Sequence, residues 1–281
     1  MKKIIVMLVS ICLTTVLFAQ SKYDHREAFH PFFYPYPGTE MRSASGEPGP
    51  KYWQNKANYS IQAAINPDDH SIKGTVAVHY INNSPDQLRF IWLQLDQNIY
   101  RKDSRGSATT TTQGGRWANG QFTEGDVIKS VKLEVNGKLI EPKFSITDTR
   151  MQIWLPEALK SNGAAAKIII DYEFIVPEYG TDRMGRLKQK DGMIYEVAQW
   201  FPRVCVYDDV LGWNTNPYLG AGEFYLEYGD IDYAITAPSK MIVVGSGELT
   251  NPQECLTAEQ LKRWNEAKNS DKTVMIRTAD E

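Results

Sequence analysis

The chain has 281 residues, 42% of them apolar, enough to bury one large core or two small ones. Its formal charge of −3 mixes both signs along the sequence, so no basic stripe exists to neutralise phosphates, and nucleic-acid binding falls away as a leading reading. None of its four histidines, His25, His30, His70 and His79, stands in an H-E-x-x-H arrangement, so the sequence offers no recognisable zinc helix.

The first element is a secretory signal. Lys2 and Lys3, the apolar run from Ile4 to Phe18 and the small Ala19 supply its charged, greasy and cleavable parts. That run is shorter than the roughly 20 residues that span a bilayer, and Ser10, Thr14 and Thr15 interrupt it. Ile11 in front of Cys12 does not suit lipidation. Residues 1–19 are therefore read as a cleaved signal peptide, with the mature chain starting at Gln20 or Ser21. The protein is expected to be exported, periplasmic or extracellular, with no membrane span after cleavage.

Residues 20–50 carry Pro31, Pro35, Pro37, Pro48 and Pro50 among aromatic and polar residues, which favours an extended leader. Phe29, Phe32, Phe33, Tyr34 and Tyr36 are expected to lay it along the surface of a domain covering residues 51–281. Period-two alternation begins at Tyr59, Ile61, Ala63 and Ile65 and continues at Ile72, Gly74, Val76, Val78 and Tyr80, with Lys73, Thr75 and His79 opposite. The turn-forming segment Asn66 to His70 between them predicts an antiparallel hairpin. Phe90 to Leu95 reads as a third, more covered strand, and Ser104 to Gly115 as a mobile surface loop.

Val131, Leu133 and Val135 lead into Asn136-Gly137, a strong hairpin signal because both residues tolerate positive φ, and Lys138 to Ile140 leads back. Further strands are predicted at Phe144 to Thr147, Met151 to Leu155 and Ile168 to Ile175, then at Met193 to Ala198, Glu223 to Tyr228, Ile231 to Ala237 and Met241 to Val244. One helix is expected after the Thr257/Gln260 capping box, with Leu261 and Trp264 on its apolar face, and a last strand over Thr273 to Arg277. So many short strands with so little helix predict a mainly β fold, a twisted two-layer antiparallel sandwich with one short helix near the C-terminus. Cys205 and Cys255 are left either as a single disulfide or as two buried thiols.

Several groups invite chemistry. Glu223, Glu227 and Asp230, with Asp208 and Asp209 nearby, have the residue types of a glycosidase acid and base, against the plainer reading of exposed strand carboxylates. Ser246 in Gly245-Ser246-Gly247 lacks the G-x-S-x-G frame of a nucleophile and reads as a turn. His79 shares a strand face with Lys73 and Thr75 and reads as solvent-facing; His25 and His30 lack a carboxylate partner. Trp200, Tyr207 and Trp213, set among Asn214 and Asn216, form the densest aromatic and amide patch. They make a secreted carbohydrate-binding β-sandwich module the alternative function, against the plainer reading of Trp200 and Trp213 as core.

Three stretches together resemble the N-terminal domain of the aminopeptidase N family of zinc metallopeptidases. They are Tyr59 to Leu95, the "QWFPRVCVYDD" of Gln199 to Asp209, and the "FYLEYGDIDYAITAPSKMIVVGSG" of Phe224 to Gly247. The resemblance covers most of Tyr59 to Glu281. It implies a saddle-like β domain placed before a zinc-bearing catalytic domain that this chain does not contain. It also implies that zinc and peptide hydrolysis belong to a longer parent, and that the chain alone is inactive, with no catalytic residue, metal ligand or cofactor of its own. The implied partners are the downstream catalytic domain and the parent's peptide substrates.

In family members a glutamine or glutamate about nine residues before the proline holds the substrate's free amino terminus through a charge-assisted hydrogen bond. Counting back from Pro202 reaches Met193, which cannot serve. Glu196 is the nearest carboxylate, and a strand with Met193 and Tyr195 on one side turns it to the other. Asp208 also lies further from Pro202 than the family pattern has it. Glu196, Trp200, Tyr207 and Asp208 are the residues the resemblance places at the substrate cleft.

Overall fold

The computed structural model describes residues 38–110, 120–180, 183–190, 192–222 and 224–281. The signal-like segment, the aromatic part of the leader, His25, His30 and Glu223 lie outside them. The chain divides into two units, 1–236 and 237–281.

The first unit is built on alternation. β1 (Lys56–Asn66) and β2 (Ser71–Asn82) form the expected hairpin, with Tyr59 opposite Val78 and Ile61 opposite Val76. β8 (Ala164–Ile175) pairs with the other side of β2, β4 (Val127–Val135) with β8, and β5 (Lys138–Ile140) with β4. The β4–β5 turn is Asn136-Gly137, at φ 50° and 74°, which matches the twist of a two-residue hairpin. β14 (Ile231–Thr236) completes this six-stranded sheet by pairing in parallel with β1, at an edge.

A second sheet holds β3 (Leu88–Gln94), β6 (Phe144–Thr147), β7 (Arg150–Leu159) and the short β11 (Arg203–Val204), in the order β11-β3-β7-β6. Ile61, Val76, Val78, Ile168, Ile170 and Phe174 of the larger sheet share one buried cluster with Ile91, Leu93, Met151 and Ile153 of the smaller. The fold is therefore mainly β and of sandwich type, as the strand pattern requires: each alternating strand has one apolar face to cover. Gly74 sits opposite Tyr172 across β2 and β8, and a Cβ there would come 2.7 Å from the Tyr172 ring and hydroxyl. The missing side chain makes room for the ring. His79 is exposed.

Two further ribbons stand apart from the main sheets: β9 (Met184–Gln189) with β10 (Gly192–Val197), and β12 (Tyr207–Asp208) with β13 (Gly212–Trp213). Between β3 and β4 run a 3-10 turn, Asp96–Tyr100, and α1 (Arg105–Thr109). The expected mobile loop from Ser104 is thus corrected over its described part. The buried Ser104 hydroxyl accepts from Ser107 N–H at 3.0 Å and donates to Ile99 O at 2.7 Å, which caps one helical turn onto the core. Part of the supposed leader is also held, since Arg42 Nε reaches Asp209 Oδ2 at 2.7 Å and Arg42 bridges to Pro48.

The Glu223 to Tyr228 strand is corrected as well: among its described residues only isolated bridges form, Cys205 with Leu226 and Lys56 with Tyr228. The second unit contains α2 (Pro252–Cys255) and α3 (Ala258–Ala267). The capping box of α3 is formed on both sides, Gln260 N to Thr257 Oγ1 at 3.3 Å and Thr257 N to Gln260 Oε1 at 3.2 Å. Met241 to Val244 and Thr273 to Arg277 are not strands. Their β propensity finds no neighbour with which to pair, and Ile242, Val243, Val244 and Met275 stay exposed. Arg263 instead fastens the end of this unit, reaching Glu281 at 2.8 Å and Ile276 O at 3.3 Å.

The parallel β1–β14 pairing depends on close approach at Gly229, where a Cβ would fall 1.7 Å from the Ala57 carbonyl oxygen. Ala57 N–H bonds Tyr228 O at 3.0 Å and Tyr59 N–H bonds Asp230 O at 2.8 Å on either side of it. Gly229→Ala is expected to free β14 while leaving β2–β8 intact. Hydrogen exchange should show lost protection at Ala57 and Tyr59 and none at Ile168 or Ile170; unchanged protection at Ala57 would contradict this.

Candidate functional site

The segment from Gln199 to Asp209 is pinned to the sandwich before it reaches the surface. β11 pairs Arg203 with Gln94 and Val204 with Leu93. Val204 N–H donates to the Tyr59 hydroxyl at 3.0 Å, and Cys205 N–H to Trp92 O at 2.9 Å. The Arg203 guanidinium bonds Asp96 Oδ2, its Nε at 3.0 Å, with both residues buried, and packs 4.5 Å from the Phe224 ring centre. Burial raises the Asp96 carboxyl and the Arg203 charge draws it back. Burial also pushes the Cys205 thiol up to about 12, so it is an inert core group. Cys205 is buried and Cys255 exposed, and both are free thiols.

Past this anchor the chain forms a half-buried rim of rings and carboxylates. Tyr207 stacks on Trp53 at 5.8 Å and tilts against Trp213 at 5.2 Å, and Trp213 stacks on buried Tyr80 at 6.0 Å. The Tyr207 hydroxyl donates to Asp86 Oδ2 at 2.7 Å, while its backbone N–H donates to Glu227 Oε1 at 3.1 Å. Asp208 closes its own turn, accepting from Val210 N–H at 3.0 Å and Leu211 N–H at 2.8 Å, and its other oxygen accepts from the Tyr225 hydroxyl at 3.1 Å. Desolvation raises Glu227 to about 7, against the pull of the Tyr207 N–H and with the Asp208 charge adding to it. Glu227 can therefore exchange a proton near neutrality.

The structure brings Tyr207 and Asp208 together and separates the other two expected cleft residues. Trp200 packs edge-on to Phe201 at 5.0 Å and Tyr233 at 6.0 Å, a different aromatic group at the other end of the segment. Glu196 is exposed on β10 opposite Gly185, while Met193, Tyr195 and Val197 occupy the half-buried face and Tyr195 meets His70 Nδ1 at 2.6 Å. Trp200 and Trp213 both pack on the core cluster, the plainer of the two readings of the aromatic patch.

Of the other acids singled out in sequence, Asp209 pairs with Arg42, and Asp230 forms an exposed pair with Lys56 at 2.9 Å. Sequence reasoning passed over Asp96, Asp126, Arg203 and Trp53. A lone acid directly after the apolar run from Phe90 to Leu95, with one arginine amid the apolar residues of Phe201 to Val206, was the available signal. Asp126 is buried, and desolvation with the Asp96 charge raises it to about 8. Among the described residues no group of three or more His, Cys, Asp or Glu side chains is placed to hold a metal.

No protein-family model and no curated protein matches the chain. Its solved structural neighbours include an M1 zinc metallopeptidase mutant from Deinococcus radiodurans bound to a Tyr-Ser-Ala substrate. That structure shows 14% identity over 73% of this chain and 37% of the other, with a TM-score of 0.38. A second structure of the M1 zinc metallopeptidase from Deinococcus radiodurans gives 14%, 72%, 37% and 0.37. A two-domain M1 zinc metallopeptidase mutant bound to L-arginine gives 12%, 70%, 37% and 0.36. The chain spans 37% of the length of these neighbours. Values of this size describe a distant likeness and carry nothing about site or activity.

Removing one member of the buried pair leaves the other charged and unsolvated, so Arg203→Ala is expected to cost about 3–5 kcal/mol. Urea unfolding would measure it, and a double Arg203→Met, Asp96→Leu variant should recover much of the loss. Glu227 titrates near 7 when folded, above its ordinary 4.5, so the folded state holds the proton more tightly. Its stabilising contribution is complete below about pH 4.5 and is lost as pH rises through about 7. Glu227→Gln should therefore gain melting temperature relative to the native chain between about pH 5 and about pH 8. A pH-independent difference would refute this assignment.

Proposed function

We propose that this chain is the non-catalytic N-terminal β domain of an exported zinc aminopeptidase, and that its Gln199 to Glu227 region borders the cleft through which peptides reach a catalytic domain. The sequence resemblance supplies the family. The observation that carries the supporting role is the surface just beyond the Arg203 anchor. Tyr225 and Tyr228 precede β14, which carries Ile231 and Tyr233, and the four have 47%, 78%, 53% and 41% of their surfaces exposed. Four large side chains this exposed within nine residues, even with Tyr225 bonded to Asp208 and Tyr233 packed on Trp200, are suited to further burial against another folded body. A catalytic domain of the same protein is the occupant proposed.

Zinc in such an enzyme activates a water for attack on a peptide bond. The described residues here do not fit that metal: His70 is engaged by Tyr195, His79 lies exposed on β2, and no third ligand stands near either. No step is assigned to them. Under this reading Tyr207, Asp208 and Glu227 shape the cleft wall, with Glu196 on the neighbouring ribbon and Trp200 bracing the segment from behind. Secretion follows from the signal-like first 19 residues.

Two measurements test the proposal. Coding sequence read onward from Glu281 should contain H-E-x-x-H in frame, and a stop codon there would count against the parent enzyme. The purified chain should carry less than stoichiometric zinc by mass spectrometry and release no N-terminal amino acid from a peptide. Stoichiometric zinc with turnover would overturn the non-catalytic assignment.

A further inference from the structure

The two main sheets end on one flank of the sandwich. β5 closes the six-stranded sheet and β6 the four-stranded one, and only residues 141–143 separate the two strands. Ile140 lies opposite buried Leu133, and Phe144 and Ile146 lie opposite buried Ile153 and Met151, so all three side chains face the interior between the layers. They nevertheless keep 37%, 40% and 39% of their surfaces exposed. Among the described residues no strand pairs with the outer side of β6.

The backbone of β6 selects what can pair there. Trp154 N–H donates to Lys143 O at 2.9 Å, which makes these two residues a hydrogen-bonded pair in continuation of the β6–β7 register. Such pairs alternate along an antiparallel ladder, so Ser145 and Thr147 also turn their backbone groups to β7, and the N–H and C=O of Phe144 and Ile146 point to the open side. Pro142, next in that row, has no N–H and ends it. A lysine commonly guards such an edge, but Lys143 is drawn back over the neighbouring strand, 5.3 Å from the Trp154 ring centre.

We propose that β6 pairs antiparallel with β6 of a second copy of this chain across a two-fold axis at Ser145, joining the two four-stranded sheets into one. This register sets Phe144 opposite the partner's Ile146 and Ile146 opposite the partner's Phe144. Every open backbone group of the two residues is then satisfied, and their apolar side chains meet on the core-facing side. The neighbouring registers fail: an axis at Phe144 sets Ile146 against the partner's Pro142, and an axis at Ile146 sets Phe144 against the partner's Asp148, which turns the hairpin at φ 57°. A strip that matches itself in one register is what a closed two-fold contact requires, and this makes a second copy the occupant. Roughly ten residues a side is under half of a standard interface, so the dimer is reversible. It leaves β14 free at the other end of the six-stranded sheet and does not rest on the peptidase reading.

Sedimentation equilibrium of the purified chain over a concentration series is expected to show a reversible monomer–dimer transition. Ile146→Lys should weaken it about tenfold or more, because it buries an unpaired charge in the contact. A second measurement reads the register itself and stands even if that variant fails to fold. Ser145 falls on the axis in a non-hydrogen-bonded pair, where Cα atoms lie about 4.5 Å apart, within disulfide reach. With Cys205 buried and Cys255→Ser removing the exposed thiol, Ser145→Cys should oxidise to a covalent dimer on a non-reducing gel. Thr147→Cys, about 14 Å from its mate along the strands, should stay monomeric. A chain that remains monomeric at its highest soluble concentration, a dimer unaffected by Ile146→Lys, or cross-linking through Thr147→Cys as efficient as through Ser145→Cys would overturn the proposal.

Discussion

The buried ion pair between Arg203 and Asp96 is the constraint on which the surface chemistry of this chain depends. Taking both charges out of water is costly, and the cost is offset only while the pair stays together. Its two halves come from distant parts of the sequence, the turn after β3 and the strand β11, so the pair fixes how the chain leaves the smaller sheet. Everything from Tyr207 to Glu227 hangs from that fixed point. The rings of Trp53, Tyr80 and Trp213 then hold Tyr207, and Tyr207 in turn holds Asp86 and Glu227. A half-buried carboxyl near neutrality arises because the anchored backbone carries Glu227 into an apolar rim.

Much of the sandwich was legible because period-two alternation is a local signal. Tyr59 to Ile65, Val131 to Val135 and Ile168 to Phe174 declare their buried faces without reference to the rest of the chain, and Asn136-Gly137 declares its turn. Met241 to Val244 and Thr273 to Arg277 show the limit of that signal. They have the composition of strands, but a strand exists only where an edge is open to it, and composition does not report edges. The segment from Ser104 failed for the opposite reason: a polar, glycine-containing sequence was drawn onto the core by one hydroxyl bonded in two directions.

Within the candidate site the sequence could place neighbours along the chain and little else. Tyr207 and Asp208 remain together because they are adjacent; Glu196 points outward because its strand alternates, as Met193 and Tyr195 required. Trp53, Asp86 and Glu227 reach Tyr207 from three separate stretches, and no spacing rule links them. Asp126 was the least visible of all. Its character comes from burial beside Asp96, a property of the folded interior that no residue pattern encodes.

The parallel docking of β14 on β1 has a mechanical consequence. β1 opens the strand order of the first unit and β14 closes it, and both run in the same direction. Tension applied between the two ends of that unit pulls these strands past one another along their length. Their cross-strand bonds are then loaded together in shear, where an antiparallel terminal pair would give way one bond at a time. A domain attached to further protein through the far end of β14 would resist being drawn open by its own tether.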